Sequence, residues 1–133
     1  DSKSENFLIY KANINEKIPL MRQHKEKINS IYRKNIPSNL HLGRAFENWR
    51  FSILIENKKL LLEKIFQEEG LFASSHYAPS DYGYVDNPIQ NSNAHKIAGK
   101  IINLFNDFRF TEEQAVKSVE IVNNFYKNNS GNE

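Results

Sequence analysis

The sequence predicts an α+β domain: a small, mostly antiparallel sheet of about three strands with helices packed on it. Three observations lead there. Apolar residues recur at three- to four-residue steps in four separate segments, the spacing of amphipathic helices. Between those segments lie short apolar runs of strand length, one of them nearly strictly alternating. The two kinds interleave as helix, strand, helix, strand, helix, strand, helix, so one sheet with helices laid against it buries every apolar stripe.

Residues 1–7 are polar and read as a flexible end. From Ala12 to about Tyr32, Ile14, Ile18, Met21, Ile28, Ile31 and Tyr32 recur at helical spacing with charges between them. Pro19 sits inside this run. Lacking an amide hydrogen, it either starts the main helix at its first turn or kinks a longer one. Ile36-Pro37-Ser38-Asn39 breaks the pattern.

From Trp49 to Glu56 the residues alternate: Trp49, Phe51, Ile53 and Ile55 against Arg50, Ser52 and Glu56, with Leu54 interrupting the polar face. This is the first strand. Asn57 then stands at an N-cap position, opening a helix over Lys58–Glu69 whose stripe is Leu61, Leu62, Ile65 and Phe66. Gly70 supplies the left-handed residue that ends it. Leu71 to Tyr77 reads as a second strand, closed by Pro79.

Residues 80–93 are polar and rich in turn formers, a long loop for a compact domain. Asn93 is placed to cap a short helix with Ala94, Ile97, Ala98 and Ile101 on one face, and Ile102–Phe105 is a third short strand. Thr111-Glu112-Glu113-Gln114 has the form of a capping box, with Gln at the third helical position reaching back to the Thr. The helix it opens carries Val116, Val119, Val122, Phe125 and Tyr126, and it gives way to an Asn-rich tail. The chain is read as a single domain over 1–133, with 127–133 as the second flexible end.

Composition narrows the chemistry. The chain has 133 residues, 39% hydrophobic and 26% charged, enough apolar material for one core. With 18 basic against 16 acidic residues the net charge is only +2, which calls for neither nucleic acid nor an anionic membrane. No apolar run reaches the roughly 18–20 residues that span a bilayer. There is no cysteine, so disulfides, a thiol nucleophile and a cysteine-bound metal are excluded; this fits a reducing compartment, and a cytoplasmic location is expected. The opening Asp1-Ser2-Lys3-Ser4 has neither the basic nor the apolar region of a signal peptide.

No phosphate-binding glycine loop, dinucleotide fingerprint or nucleophile elbow is present among only five glycines. His24, His41, His76 and His95 lack the spacing of metal ligands, so no metal site is expected. Lys25, Lys27, Arg33 and Lys34 form a modest basic cluster interrupted by Glu26, read as a solvated helix face rather than a nucleic-acid surface. His76 and Tyr77 stand apart. At a strand end before a proline and a long polar loop, imidazole and phenol are well placed to donate to phosphate or sugar oxygens. The plainer reading is that His76 caps the strand while Tyr77 packs in the core.

Four blocks, in order, resemble the C-terminal part of the DegT/DnrJ/StrS-type sugar aminotransferases, pyridoxal-phosphate enzymes of fold type I. Tyr10-Lys-Ala-Asn-Ile14 through Ile31-Tyr32 is similar to the helix that leaves the cofactor domain. Trp49-Arg-Phe-Ser-Ile-Leu-Ile-Glu-Asn57, with Leu61, Ile65 and Gly70-Leu71, resembles the family's strand–helix–glycine block. His76-Tyr77-Ala-Pro79 is similar to its His-Tyr-x-Pro stretch. Asn93 to Leu104 followed by Thr111-Glu-Glu-Gln resembles its closing helix, strand and helix. The chain departs from the family at Leu104-Phe105, where Leu-Pro is usual, and at Ser80-Asp81 after the proline.

The resemblance implies a fold like the small domain of such an enzyme, closing one side of the active-site cleft. The Schiff-base lysine, the acid facing the pyridine nitrogen and most phosphate ligands lie in the family's large domain. None of the thirteen lysines here sits in a matching context, so no catalytic or cofactor-binding residue is expected in this chain, and no cofactor for the chain alone. By resemblance, His76 and Tyr77 contact substrate, with Arg50 as a further contact for an anionic group; the alternative for Arg50 is an ordinary surface residue. The implied partners are the large domain, a homodimer mate and a nucleotide-linked sugar. The 133 residues then read as the rear portion of a larger enzyme or a relic of one. Two alternatives remain: a stand-alone binding module of the same fold, and a basic nucleic-acid-binding domain.

Overall fold

Alternating residues decide the sheet. The computed structural model describes residues 2–76 and 92–129. Its elements, in chain order, are α1 (Ser2–Asn35), 3₁₀ turns at Ser38–Leu40 and Arg44–Phe46, β1 (Phe51–Leu54), α2 (Lys58–Gln67), β2 (Ala73–Ser74), α3 (Asn93–Lys100), β3 (Ile101–Leu104) and α4 (Glu112–Asn129). This is the α+β architecture that the periodicities predict. The two 3₁₀ turns are additions to it.

The strands lie in the order β1-β3-β2, with β3 antiparallel to both neighbours. Hence β1 and β2 run parallel to one another, and α2 is the crossover that carries the chain past β3. Phe51 lies opposite Leu104, which lies opposite Ala73, and Ile53 lies opposite Ile102. All five are buried, on the face covered by helices. The outer edge of β1 is covered by residues 41 and 42: His41 bridges Ile53, and the Leu42 amide donates to the Ser52 carbonyl at 3.1 Å.

Helices α1, α2 and α4 each add one stripe to that face. Ile28, Tyr32 and Ile36 come from or directly follow α1, Leu61 and Ile65 from α2, and Ala115, Val119, Val122 and Phe125 from α4. Each large apolar side chain stabilises the fold by roughly 1.5–3 kcal/mol on burial. Phe66 and Val116, expected in these stripes, are exposed instead, because each lies about 100° around its helix from the inward residue just before it. α3 buries no residue completely, and Ile97 is exposed.

α1 begins at Ser2, ahead of the Ala12 start that the apolar spacing predicts, with Glu5 in its first turn favouring the positive end of the helix dipole. Pro19 lies inside it, so of its two readings the longer helix is the one adopted. Among the described residues no helix is long and apolar enough to cross a membrane.

The element ends follow local chemistry. Asn57 occupies the N-cap of α2 in the left-handed conformation (φ 54°), but its backbone carbonyl, not its side chain, receives the Leu60 amide at 3.0 Å. The cap of α3 is Ser92 rather than Asn93, with its hydroxyl accepting from the His95 amide at 3.3 Å. The capping box at α4 forms in both directions: Gln114 N–H to Thr111 Oγ1 at 3.1 Å, and Thr111 N–H to Gln114 Oε1 at 2.9 Å. Gly70 has φ 76°, but it is Glu68, in the extended conformation, that ends α2; Gly70 turns the chain just beyond, where the Leu71 amide donates to the Glu68 carbonyl at 3.3 Å.

Candidate functional site

The short length of β1 sets the geometry of the candidate site. The strand begins at Phe51, so Trp49, expected to be its first inward residue, lies outside it and is 46% exposed. The indole is therefore available to its neighbours. The His76 ring sits edge-on to it, with centroids 5.8 Å apart at 69°. The Arg50 guanidinium carbon lies 5.1 Å from the Trp49 centroid and 4.1 Å from that of Phe105.

Two of the three residues singled out in the sequence thus converge on Trp49. Tyr77, the third, lies outside the described residues. His76 itself is exposed, and its backbone is what the sheet holds. Asn103, almost fully buried, donates Nδ2 to the carbonyls of His76 at 3.0 Å and Ser74 at 3.4 Å, and its Oδ1 accepts from the Ser52 hydroxyl at 3.0 Å. This polar row crosses all three strands and fixes the exit of β2. Asn103 escapes a reading of the sequence because a lone asparagine in an apolar strand carries no periodic signal.

Arg50 is no ordinary surface residue. Only 16% of its side chain is exposed, Nη1 donates to the Trp49 carbonyl at 3.3 Å, and Nη2 lies 3.7 Å from Asp107 Oδ2. Asp107 in turn accepts the Arg109 amide at 3.0 Å. A guanidinium near two rings, with a histidine edge-on to one of them, makes a cationic and aromatic corner. That combination recognises oxygen-rich anionic groups.

Beside this corner lies a cavity of about 700 Å³, bounded by α1, residues 44–48 and residues 107–108. Asn106, with no exposed surface, donates Nδ2 to Asn29 Oδ1 at 2.7 Å and to the Glu47 carbonyl at 3.4 Å. Asn29 donates to the same carbonyl at 3.3 Å, so the two amides pin residue 47 against α1. Arg33 is held by Glu47 at 2.5 Å and by Glu26 at 3.1 Å, and those carboxylates, Glu47 foremost, raise its already high pKa. Lys25 Nζ donates to the Asn48 carbonyl at 2.7 Å. Burial first, and then the nearby Arg50 charge, lower its pKa, with Asp107 opposing.

The basic cluster of the sequence does not form one surface. Lys25 and Arg33 face this cavity, Lys27 pairs with Glu112 at 3.7 Å, and Lys34 borders a different cleft beside Tyr126.

Pyridoxal phosphate would need a lysine free to bond its carbonyl carbon, beside an acid and a ring-sized slot. The two lysines whose pKa is lowered do not meet this. Lys25 is committed to Asn48, while Lys58, lowered by burial, donates to Ser75 Oγ at 2.6 Å and to the Ala98 carbonyl. No step through the cofactor is therefore assigned to residues of this chain. No group of three or more metal-ligating side chains occurs among the described residues. No protein-family model matches the sequence, and no curated protein matches it.

Proposed function

We propose that this chain is the substrate-side, C-terminal domain of a pyridoxal-phosphate sugar aminotransferase of the DegT/DnrJ/StrS type. The Schiff-base lysine and the cofactor belong to a second domain. The whole enzyme would move an amino group, taken from a donor such as glutamate, to a keto group on a nucleotide-linked sugar. The observation that carries this reading is the convergence of His76 and Arg50 on Trp49. Trp49-Arg50 and His76 come from two separate blocks of the resemblance, and the fold brings the Trp49 and His76 rings into contact. In this role His76 and Arg50 bind and orient the substrate's phosphate and sugar oxygens, while Trp49 offers an apolar face. Tyr77 is proposed as a further substrate contact on the resemblance alone.

The chain has a core of its own, with eighteen buried apolar residues among those described, which favours a second reading as a stand-alone binding module of the same fold. The two readings share the binding step and differ over catalysis.

The test is binding of thymidine-diphosphate glucose to the chain, followed by ligand-observed NMR. Saturation transfer to the sugar and base protons is expected, with about tenfold weaker binding in His76→Ala and in Arg50→Gln. Binding that both substitutions leave intact would remove the assignment. Tight retention on single-stranded nucleic acid that collapses with salt would favour a nucleic-acid binder instead.

A further inference from the structure

We propose that the cavity against α1 is a second binding site, for a small organic anion with an apolar body. The argument is one of unbalanced charge. Four cations line the cavity, Arg22, Lys25, Arg33 and Arg44, with three carboxylates, Glu26, Glu47 and Asp107. Each carboxylate already has a cation: Arg33 takes Glu26 and Glu47, and Arg50, just outside, takes Asp107. Lys25 has the Asn48 carbonyl. The side chains of Arg22 and Arg44 are left with no hydrogen bond or ion pair to another described residue, although both residues border the same space.

Two guanidiniums without a partner among the described residues, both on a concave wall, attract an anion, and the fork of each suits a phosphate or carboxylate. Neighbouring lining residues supply the apolar half. Ile18, Met21 and Phe108 line the cavity and are each 39% exposed or more. A volume of about 700 Å³ is in the range of small-molecule sites. The floor is rigid, because Asn29 and Asn106 fix residue 47 and so the turn that carries Arg44. Neither His76 nor Trp49 lines this space, so the site is separate from the one proposed for substrate.

The probe is phenyl phosphate, titrated calorimetrically into the intact chain. Saturable binding is expected, at least about tenfold tighter than inorganic phosphate, which lacks the ring, and than phenol, which lacks the charge. Arg22→Gln and Arg44→Gln, both at exposed positions, should each weaken it by about tenfold or more, and His76→Ala should leave it unchanged. Lys64→Gln on α2, remote from the cavity, is the control for general charge. Any one of four results overturns the proposal: no binding at millimolar concentration, equal binding of phenol, affinity unmoved by both arginine substitutions, or equal weakening by Lys64→Gln. Weakening by His76→Ala would relocate the anion to the substrate corner and overturn it as well.

Discussion

The hydroxyl of Tyr32, near the end of α1, donates to the backbone carbonyl of Phe105, just beyond β3, at 2.7 Å. The ring has no exposed surface and lies 5.2 Å from that of Phe51. One side chain therefore ties the long helix to the central strand. Tyr32→Phe keeps the packing but leaves the carbonyl without its donor. A loss of about 1–3 kcal/mol in urea unfolding is expected, with the slope unchanged.

The same phenol predicts a difference at alkaline pH. Burial pushes its pKa far above the ordinary value, against a weaker opposite pull from the Ser118 hydroxyl. The folded state then holds a proton that the unfolded chain releases near pH 10. Stability from this group is complete below about pH 10 and falls as pH rises beyond it, by up to about 1.4 kcal/mol per pH unit. Between about pH 10 and 11.5 the wild type should lose stability more steeply than Tyr32→Phe.

Gln114 does two things at once. Besides closing the capping box it donates Nε2 to the Gly70 carbonyl at 2.5 Å, joining α4 to the end of α2. Gln114→Ala should therefore cost more than Thr111→Ala, for which about 0.5–2 kcal/mol is expected. Gly70→Ala meets two obstacles: a φ of 76°, and a Cβ that would lie 3.0 Å from that same Nε2. A loss of at least about 1 kcal/mol is expected, and calorimetric melting of the three variants gives the order.

Asn29 and Asn106 are 77 positions apart and share one hydrogen bond and one acceptor, the Glu47 carbonyl. Removing either amide strands the other in a buried place. Asn29→Ala and Asn106→Ala should each cost about 1–3 kcal/mol, and the double variant less than their sum by at least about 0.5 kcal/mol. Strict additivity in a double-mutant cycle would show that the two amides act independently.

The indole of Trp49 also makes a spectroscopic prediction. With its ring 5.8 Å from that of His76, Trp49→Ala should move the His76 ring-proton resonances, and those of His24 far less. Far-UV circular dichroism should stay unchanged, because Trp49 is outside the sheet and 46% exposed.

What the sequence made legible is what depends on neighbours in the chain. The element order, the capping box and the left-handed Gly70 all follow from residues within a few positions of one another. Phe51, Ile53 and Ile55 fall inward as alternation requires. The site was legible only in part. His76 stands out by its place at a strand end and Arg50 by resemblance alone, and nothing local reveals that Trp49 joins them or that Asn103 holds the His76 carbonyl. Nor is the cavity legible. Its cations sit between residues 22 and 44, but the pairing of Arg33 and Lys25 depends on Glu47 and Asn48, brought in by the fold. Trp49 illustrates the limit: alternation extends the strand to it, whereas the 3₁₀ turn at Arg44–Phe46 delays the strand until Phe51.

The order β1-β3-β2 also has a temporal meaning. The strand that both others require is the last of the three to be synthesised, and its residues end at Leu104. As the chain emerges from the ribosome, β1 has only the short edge formed by His41 and Leu42 to pair with, and β2 has no sheet partner. From the completion of β2 at Ser74 until β3 is made, the nascent chain carries strand edges that lack their central partner, the condition in which a polypeptide is open to capture by chaperones or by other nascent chains.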